Sequence, residues 1–204
     1  MGIMICIGDS LTYGYGVRRT QCWTALASEM SGWTLQNHGV CGDTTGGMLV
    51  RMREIVHDLQ ESERENRCFL LMGGCNDVFF SGSSVSAREN MAAMVHQLFS
   101  LGEMPLIAIG PGISNGAYPN AWTDLVDFSE AAEEVERYYN WLERFCSTFG
   151  VRMIDFRRDF HNERGEQRSE LYIDGLHLNP DGHRVMAERV AKVIAVMNRE
   201  TMNP

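Results

Sequence analysis

The sequence predicts an α/β fold: a five-stranded parallel sheet with helices on both faces. Two observations carry that prediction. Short apolar runs recur along the whole chain, at Ile3–Ile7, Thr34–His38, Phe69–Met72, Leu106–Ile109 and Val151–Ile154. Between them lie stretches with helical periodicity, so the pattern is βα repeated in series. The chain has 204 residues, a length that suits one domain over residues 1–204 with a sizeable core.

The helices follow in order. Trp23, Leu26, Ala27 and Met30 share one helical face. Met48, Met52, Ile55, Val56 and Leu59 share a second. A third stripe, Met91, Val95, Leu98 and Phe99, follows Ser86-x-x-Glu89, which reads as a capping box. The longest stripe is Val135, Tyr138, Tyr139, Leu142, Phe145, Cys146 and Phe149. The last helix has Asn179 as cap and Pro180 in its first turn, then Met186, Val190, Val193, Ile194 and Met197.

Composition narrows the classes of function. With 18 basic and 27 acidic residues the formal net charge is −9, so nucleic acid and anionic membranes are not expected partners. No apolar stretch reaches transmembrane length, and Ile3–Ile7 is too short, and lacks the preceding basic region, for a signal peptide. The six cysteines form no C-x-x-C pair; they read as reduced, mostly buried thiols of a cytoplasmic protein, with no zinc or redox motif.

Parallel sheets of this kind place ligands at the carboxyl ends of their strands. Chemistry-bearing residues cluster there. After the first strand comes Gly8-Asp9-Ser10-Leu11. A serine on a tight strand-to-helix turn presents its hydroxyl at the sheet edge, although Asp9 and Ser10 also suit a plain turn and cap. After the second strand Gly42 opens a helix and can expose a backbone N–H toward a developing oxyanion. After the third, Gly73-Gly74-Cys75-Asn76-Asp77 offers the Asn76 amide at the same edge. An asparagine there can equally satisfy its own backbone. Near the C-terminus Asp174-Gly175-Leu176-His177 is the chain's only Asp-x-x-His. That spacing lets a carboxylate hold one imidazole nitrogen while the other faces outward. Nucleophile, base, orienter and oxyanion donors together form the inventory for acyl transfer.

The segments GDSLTYG, GDTT, GGCND and DGLH resemble the four sequence blocks of the SGNH/GDSL hydrolase family, in the family's order from Gly8 to His177. The resemblance implies a flavodoxin-like three-layer α/β/α fold and no cofactor or metal. It implies Ser10 as nucleophile, His177 as base and Asp174 as its orienter. It implies an oxyanion hole of the Ser10 and Gly42 backbone N–H groups and the Asn76 side chain. The expected activity is hydrolysis of a small soluble ester through an acyl-enzyme. The alternatives are deacetylation of a carbohydrate or thioester hydrolysis on the same site, and, from a different class, a non-catalytic binding domain.

Other residues have blander readings. Cys41 and Cys75 sit in the site loops, yet neither has a histidine paired by sequence. Glu54-x-x-His57 reads as a solvated helix face. His183, a competitor for the role of base, reads as an exposed residue of the final helix. Tyr13, Tyr15, Phe79, Phe80, Tyr118 and Trp122 follow strands and are candidates for pocket walls. The stretch Gly110–Asp127 is long enough to form a lid.

Overall fold

Each apolar run forms a strand. In the computed structural model, which describes residues 2–59, 67–114 and 128–202, these are β1 (Ile3–Gly8), β2 (Thr34–Gly39), β3 (Arg67–Met72), β4 (Pro105–Ile109) and β5 (Arg152–Asp155). All pair in parallel, in the order β2-β1-β3-β4-β5. The helices are α1 (Ser10–Tyr13), α2 (Trp23–Ser31), α3 (Thr45–Asp58), α4 (Cys75–Ser81), α5 (Val85–Ser100), α6 (Phe128–Phe149) and α7 (Pro180–Met202). This is the three-layer α/β/α arrangement with flavodoxin-like strand order.

Helices cover both faces of the sheet. The central strands therefore carry uninterrupted apolar sequence, with alternate residues serving opposite layers. Ile5, Ile7, Phe69, Leu71, Ile107 and Ile109 pack with Met48 and Met52 of α3, with Met91 and Val95 of α5 and with Tyr138 and Leu142 of α6. Met4, Cys6, Leu70, Leu106, Ala108 and Ile154 pack with Trp23 and Ala27 of α2 and Met186 and Val190 of α7. A fully buried side chain such as Leu71 contributes about 1.5–3 kcal/mol relative to an exposed one. The order of the sheet reverses at β1, with β2 on one side and β3 on the other. The crevice between the carboxyl ends of β1 and β3 is the switch point where such folds bind ligands.

The structure corrects some local expectations. Helix α5 starts at Val85, with Ser84 as cap, not at Ser86. Ser84 is drawn away from local capping by α6: its N–H and hydroxyl both donate to Glu134 Oε1, at 2.9 and 2.6 Å. The apolar stripes also outrun the core, leaving Met30, Phe99 and Phe149 exposed at helix ends. Strand β3 begins earlier than its apolar run, because Arg67 is buried in an ion pair with Glu103. Asn179 does cap α7: its Oδ1 accepts from the Asp181 and Gly182 N–H groups, each at 3.1 Å. Among the described residues no helix is long and apolar enough to cross a membrane.

Candidate active site

The turn after β1 is shaped by contacts a side chain would break. A Cβ on Gly8 would lie 2.1 Å from Thr12 Oγ1 and 2.4 Å from the Met72 carbonyl oxygen, so only glycine lets α1 fold back against the strand end. Asp9 caps α1 by accepting the Leu11 N–H at 2.9 Å, and the helix closes after one turn at Gly14. Ser10 is thus the first helical residue, where a backbone N–H has no partner within the helix.

Ser10 Oγ lies 2.8 Å from His177 Nε2, and His177 Nδ1 lies 2.6 Å from Asp174 Oδ2. All three residues are buried. The other Asp174 oxygen, Oδ1, accepts the backbone N–H groups of Leu176 and His177 at 3.0 and 2.7 Å, so the carboxylate is fixed by its own turn. Burial pushes the Asp174 carboxyl up, but the hydrogen bonds from the His177 ring and backbone outweigh it and hold the group below its ordinary value. Asp174 therefore stays ionised at neutral pH. The loop after β4 is tied to this turn by the Ser114 N–H, which donates to the Gly175 carbonyl at 2.7 Å.

The other two loops are joined to one another. Asn76, in the first turn of α4, donates its amide to the Asp43 carbonyl at 2.8 Å, beside Gly42. An amide has two N–H groups, so this bond leaves one for another acceptor. Asp77 accepts the Thr45 N–H and hydroxyl at 2.9 and 2.6 Å, tying α4 to the start of α3. Asp9 is a buried carboxyl at the centre of these loops. Burial raises its pKa to about 6, against the Leu11 N–H and His177, while Asp43 and Asp77 add to the rise.

The candidate walls separate. Tyr15 is half-exposed, and its ring centroid stands 4.5 Å from that of the His177 imidazole. Tyr13 lines a cavity of about 370 Å³ with Val17, Leu35 and Asn37. Phe79 packs against the core and Phe80 is exposed. Tyr118, Trp122 and positions 115–127 of the suggested lid lie outside the described residues. His183 corrects its sequence reading: it is 1% exposed, and its Nδ1 accepts the Trp23 N–H at 3.3 Å. Cys41 is exposed and Cys75 buried against the Tyr139 hydroxyl at 3.3 Å. Burial raises the pKa of both thiols, which disfavours either as a nucleophile. Glu54 and His57 are exposed, and no cluster suited to a metal ion occurs among the described residues.

A further side chain at these loops is Arg51. From α3 its guanidinium reaches the Asp43 carboxylate and the carbonyls of Gly8 and His38. No motif marks it, because two of its acceptors are backbone oxygens brought near by the fold.

Residues 6–185 match the GDSL-like lipase/acylhydrolase family, and the chain belongs to that family of ester-cleaving hydrolases. Solved structures with similar folds include a member of the lipolytic protein G-D-S-L family from Veillonella parvula. It has a TM-score of 0.77 and 21% identity, covering 95% of this chain and 98% of that one. The carbohydrate acetylesterase Est24 of Sinorhizobium meliloti aligns with a TM-score of 0.76 and 17% identity over 97% of this chain and 100% of its own. The M. smegmatis aryl esterase aligns with a TM-score of 0.76 and 15% identity over 96% and 99%. No curated protein matches the sequence.

Proposed function

We propose that this chain is a serine esterase that cleaves a small soluble ester through an acyl-enzyme on Ser10, with His177 as general base. The observation that carries the reading is the unbroken chain from Ser10 Oγ to His177 Nε2 at 2.8 Å and from His177 Nδ1 to Asp174 Oδ2 at 2.6 Å. His177 Nε2 takes the Ser10 proton as Oγ attacks the ester carbonyl carbon. Asp174 holds the imidazole in the productive tautomer and stabilises the imidazolium. The tetrahedral oxyanion accepts hydrogen bonds from the Ser10 and Gly42 N–H groups and the free Asn76 N–H. Collapse expels the alcohol, which takes the proton from His177. Water, deprotonated by the same imidazole, then releases the acid and restores Ser10. No step calls for a cofactor or a partner chain. Turnover of a chromogenic ester tests the reading: Ser10→Ala should lose about four to six orders of magnitude in kcat while staying folded. Near-normal turnover in that variant would reject it.

A second reading, removal of acetyl groups from a carbohydrate by the same chemistry, is favoured by a cavity of mixed polar and apolar lining. It measures about 480 Å³ and is lined in part by Glu136, Asn140, Asp155, Arg157 and Gln167, by the carboxyl end of β5. Arg157 is already held by Asp155, Glu136, Asn140 and Glu143, and the remaining amide and carboxylate positions of the rim suit sugar hydroxyls; two fold neighbours are named as carbohydrate acetylesterases. A panel of simple esters beside acetylated sugars decides between the two by kcat/KM.

A further inference from the structure

We propose that Arg51 is a positioning residue for the oxyanion hole, clamping the Gly42–Asp43 loop and, through it, the Asn76 amide to the ends of β1 and β2. The inference rests on the reading of Ser10, Gly42 and Asn76 given above. Arg51 Nε and Nη2 both donate to Asp43 Oδ2, at 3.0 and 2.5 Å. Nη2 also donates to the Gly8 carbonyl at 2.9 Å, and Nη1 donates to the His38 carbonyl. One planar cation therefore spans the end of the strand that leads into Ser10, the end of the neighbouring strand and the loop between β2 and α3.

Asp43 relays that hold. Its side chain answers Arg51, and its main-chain oxygen receives the Asn76 amide at 2.8 Å. Its neighbour Gly42 has φ of 76°. The start of α3 makes room for the arrangement: a Cβ on Gly47 would stand 1.8 Å from Asp43 Oδ1. A glycine inside a helix is otherwise destabilising relative to alanine. Oxyanion donors work by being fixed before charge develops, and small displacements weaken them. A guanidinium supplies several donors in one plane; an ammonium is a point charge that cannot reproduce the fork. The clamp therefore acts on the transition state and leaves substrate binding largely alone.

The test compares Arg51→Lys, Arg51→Gln, Gly47→Ala and Asn76→Ala with the wild-type chain, using ester kinetics and inhibition by a boronic acid, whose adduct with Ser10 mimics the tetrahedral intermediate. The Arg51 and Gly47 variants should lose about 10- to 100-fold in kcat, with a parallel weakening of boronate inhibition and KM within about threefold. Gly47→Ala keeps Arg51 and displaces only the Asp43 carboxylate, so it carries the test should the arginine variants fail to fold. Variants that melt lower but keep kcat and boronate affinity while Asn76→Ala loses both would overturn the role of Arg51 and leave the oxyanion hole standing. If Asn76→Ala also kept both, Asn76 would leave the hole to the two backbone donors, and the proposed hold on its amide would fall with it.

Discussion

Tyr15 stands over the imidazole of His177, with ring centroids 4.5 Å apart and planes tilted by 44°. Tyr15 is 45% exposed, and Ile173, which adjoins the same loop at Gly16, is 41% exposed. In the proposed mechanism His177 hands a proton to the departing alcohol, so the alcohol leaves beside Tyr15. Tyr15→Ala should then lower kcat/KM for aryl esters by about three- to tenfold, the worth of an aromatic contact. The loss should follow the alcohol and not the acyl chain. Steady-state kinetics on two matched ester series check this. A loss that tracked acyl length instead would place Tyr15 on the acyl side.

His183 and His177 separate by chemistry as well as by place. Burial, with a smaller effect of His177, lowers the His183 pKa from the ordinary 6.5 to about 4. The fold holds this ring neutral, and the unfolded chain protonates it first. Its contribution is therefore fully present above pH 6.5 and lost as pH falls toward 4, by something on the order of 3 kcal/mol. His183→Gln keeps an acceptor for the Trp23 N–H but does not titrate. Its melting temperature should fall less between pH 6.5 and 4 than that of the wild-type chain, with kcat largely retained. His177→Ala should be nearly inactive. Thermal melts across that range and ester turnover check both; loss of turnover in His183→Gln alone would move the base to α7.

Asp9 has the opposite linkage. Its raised pKa of about 6, caused first by burial, means that its ionisation opposes folding. The contribution is fully present below about 3.8 and lost as pH rises through 6. Asp9→Asn keeps an oxygen for the Leu11 N–H and carries no charge. It should melt higher than the wild-type chain at pH 8, with the advantage shrinking at pH 5. Equal melting temperatures at pH 8 would contradict the charged, buried carboxylate.

Asn76 braces a loop and is also proposed to donate to the oxyanion, so its substitutions should affect stability and rate together. Asn76→Ala should destabilise by about 1 kcal/mol through loss of the bond to the Asp43 carbonyl. It should lower kcat by roughly two to three orders of magnitude with little change in KM. Asn76→Asp places an acceptor where donors are needed, so the loss should be at least as large. Full kcat in the aspartate variant would remove Asn76 from the site.

What was legible in the sequence follows from how each feature is encoded. The strands were legible because a sheet covered on both faces needs unbroken apolar runs such as Phe69–Met72. Arg67 was hidden from that reading, since its burial depends on Glu103, 36 residues away. Asp174 and His177 are legible as a pair because one short turn brings them together, whereas the approach of Ser10, 167 residues away, to His177 is made only by the fold. Arg51 is not legible, because it binds carbonyls that only the folded sheet assembles. His183 reads as exposed for a similar reason: a polar stretch at a helix start looks solvated, whereas in the fold the Trp23 N–H opening α2 finds its acceptor in that ring.

The central claim, that Ser10 is a nucleophile activated by His177, is tested most directly by intact-mass analysis after treatment with a serine-directed fluorophosphonate. A nucleophilic Ser10 should give one adduct per wild-type chain, mapped to Ser10, absent in Ser10→Ala and formed far more slowly in His177→Ala. A wild-type chain that hydrolyses ester yet stays unlabelled at Ser10, or a Ser10→Ala chain that still turns over at the wild-type rate, would contradict it.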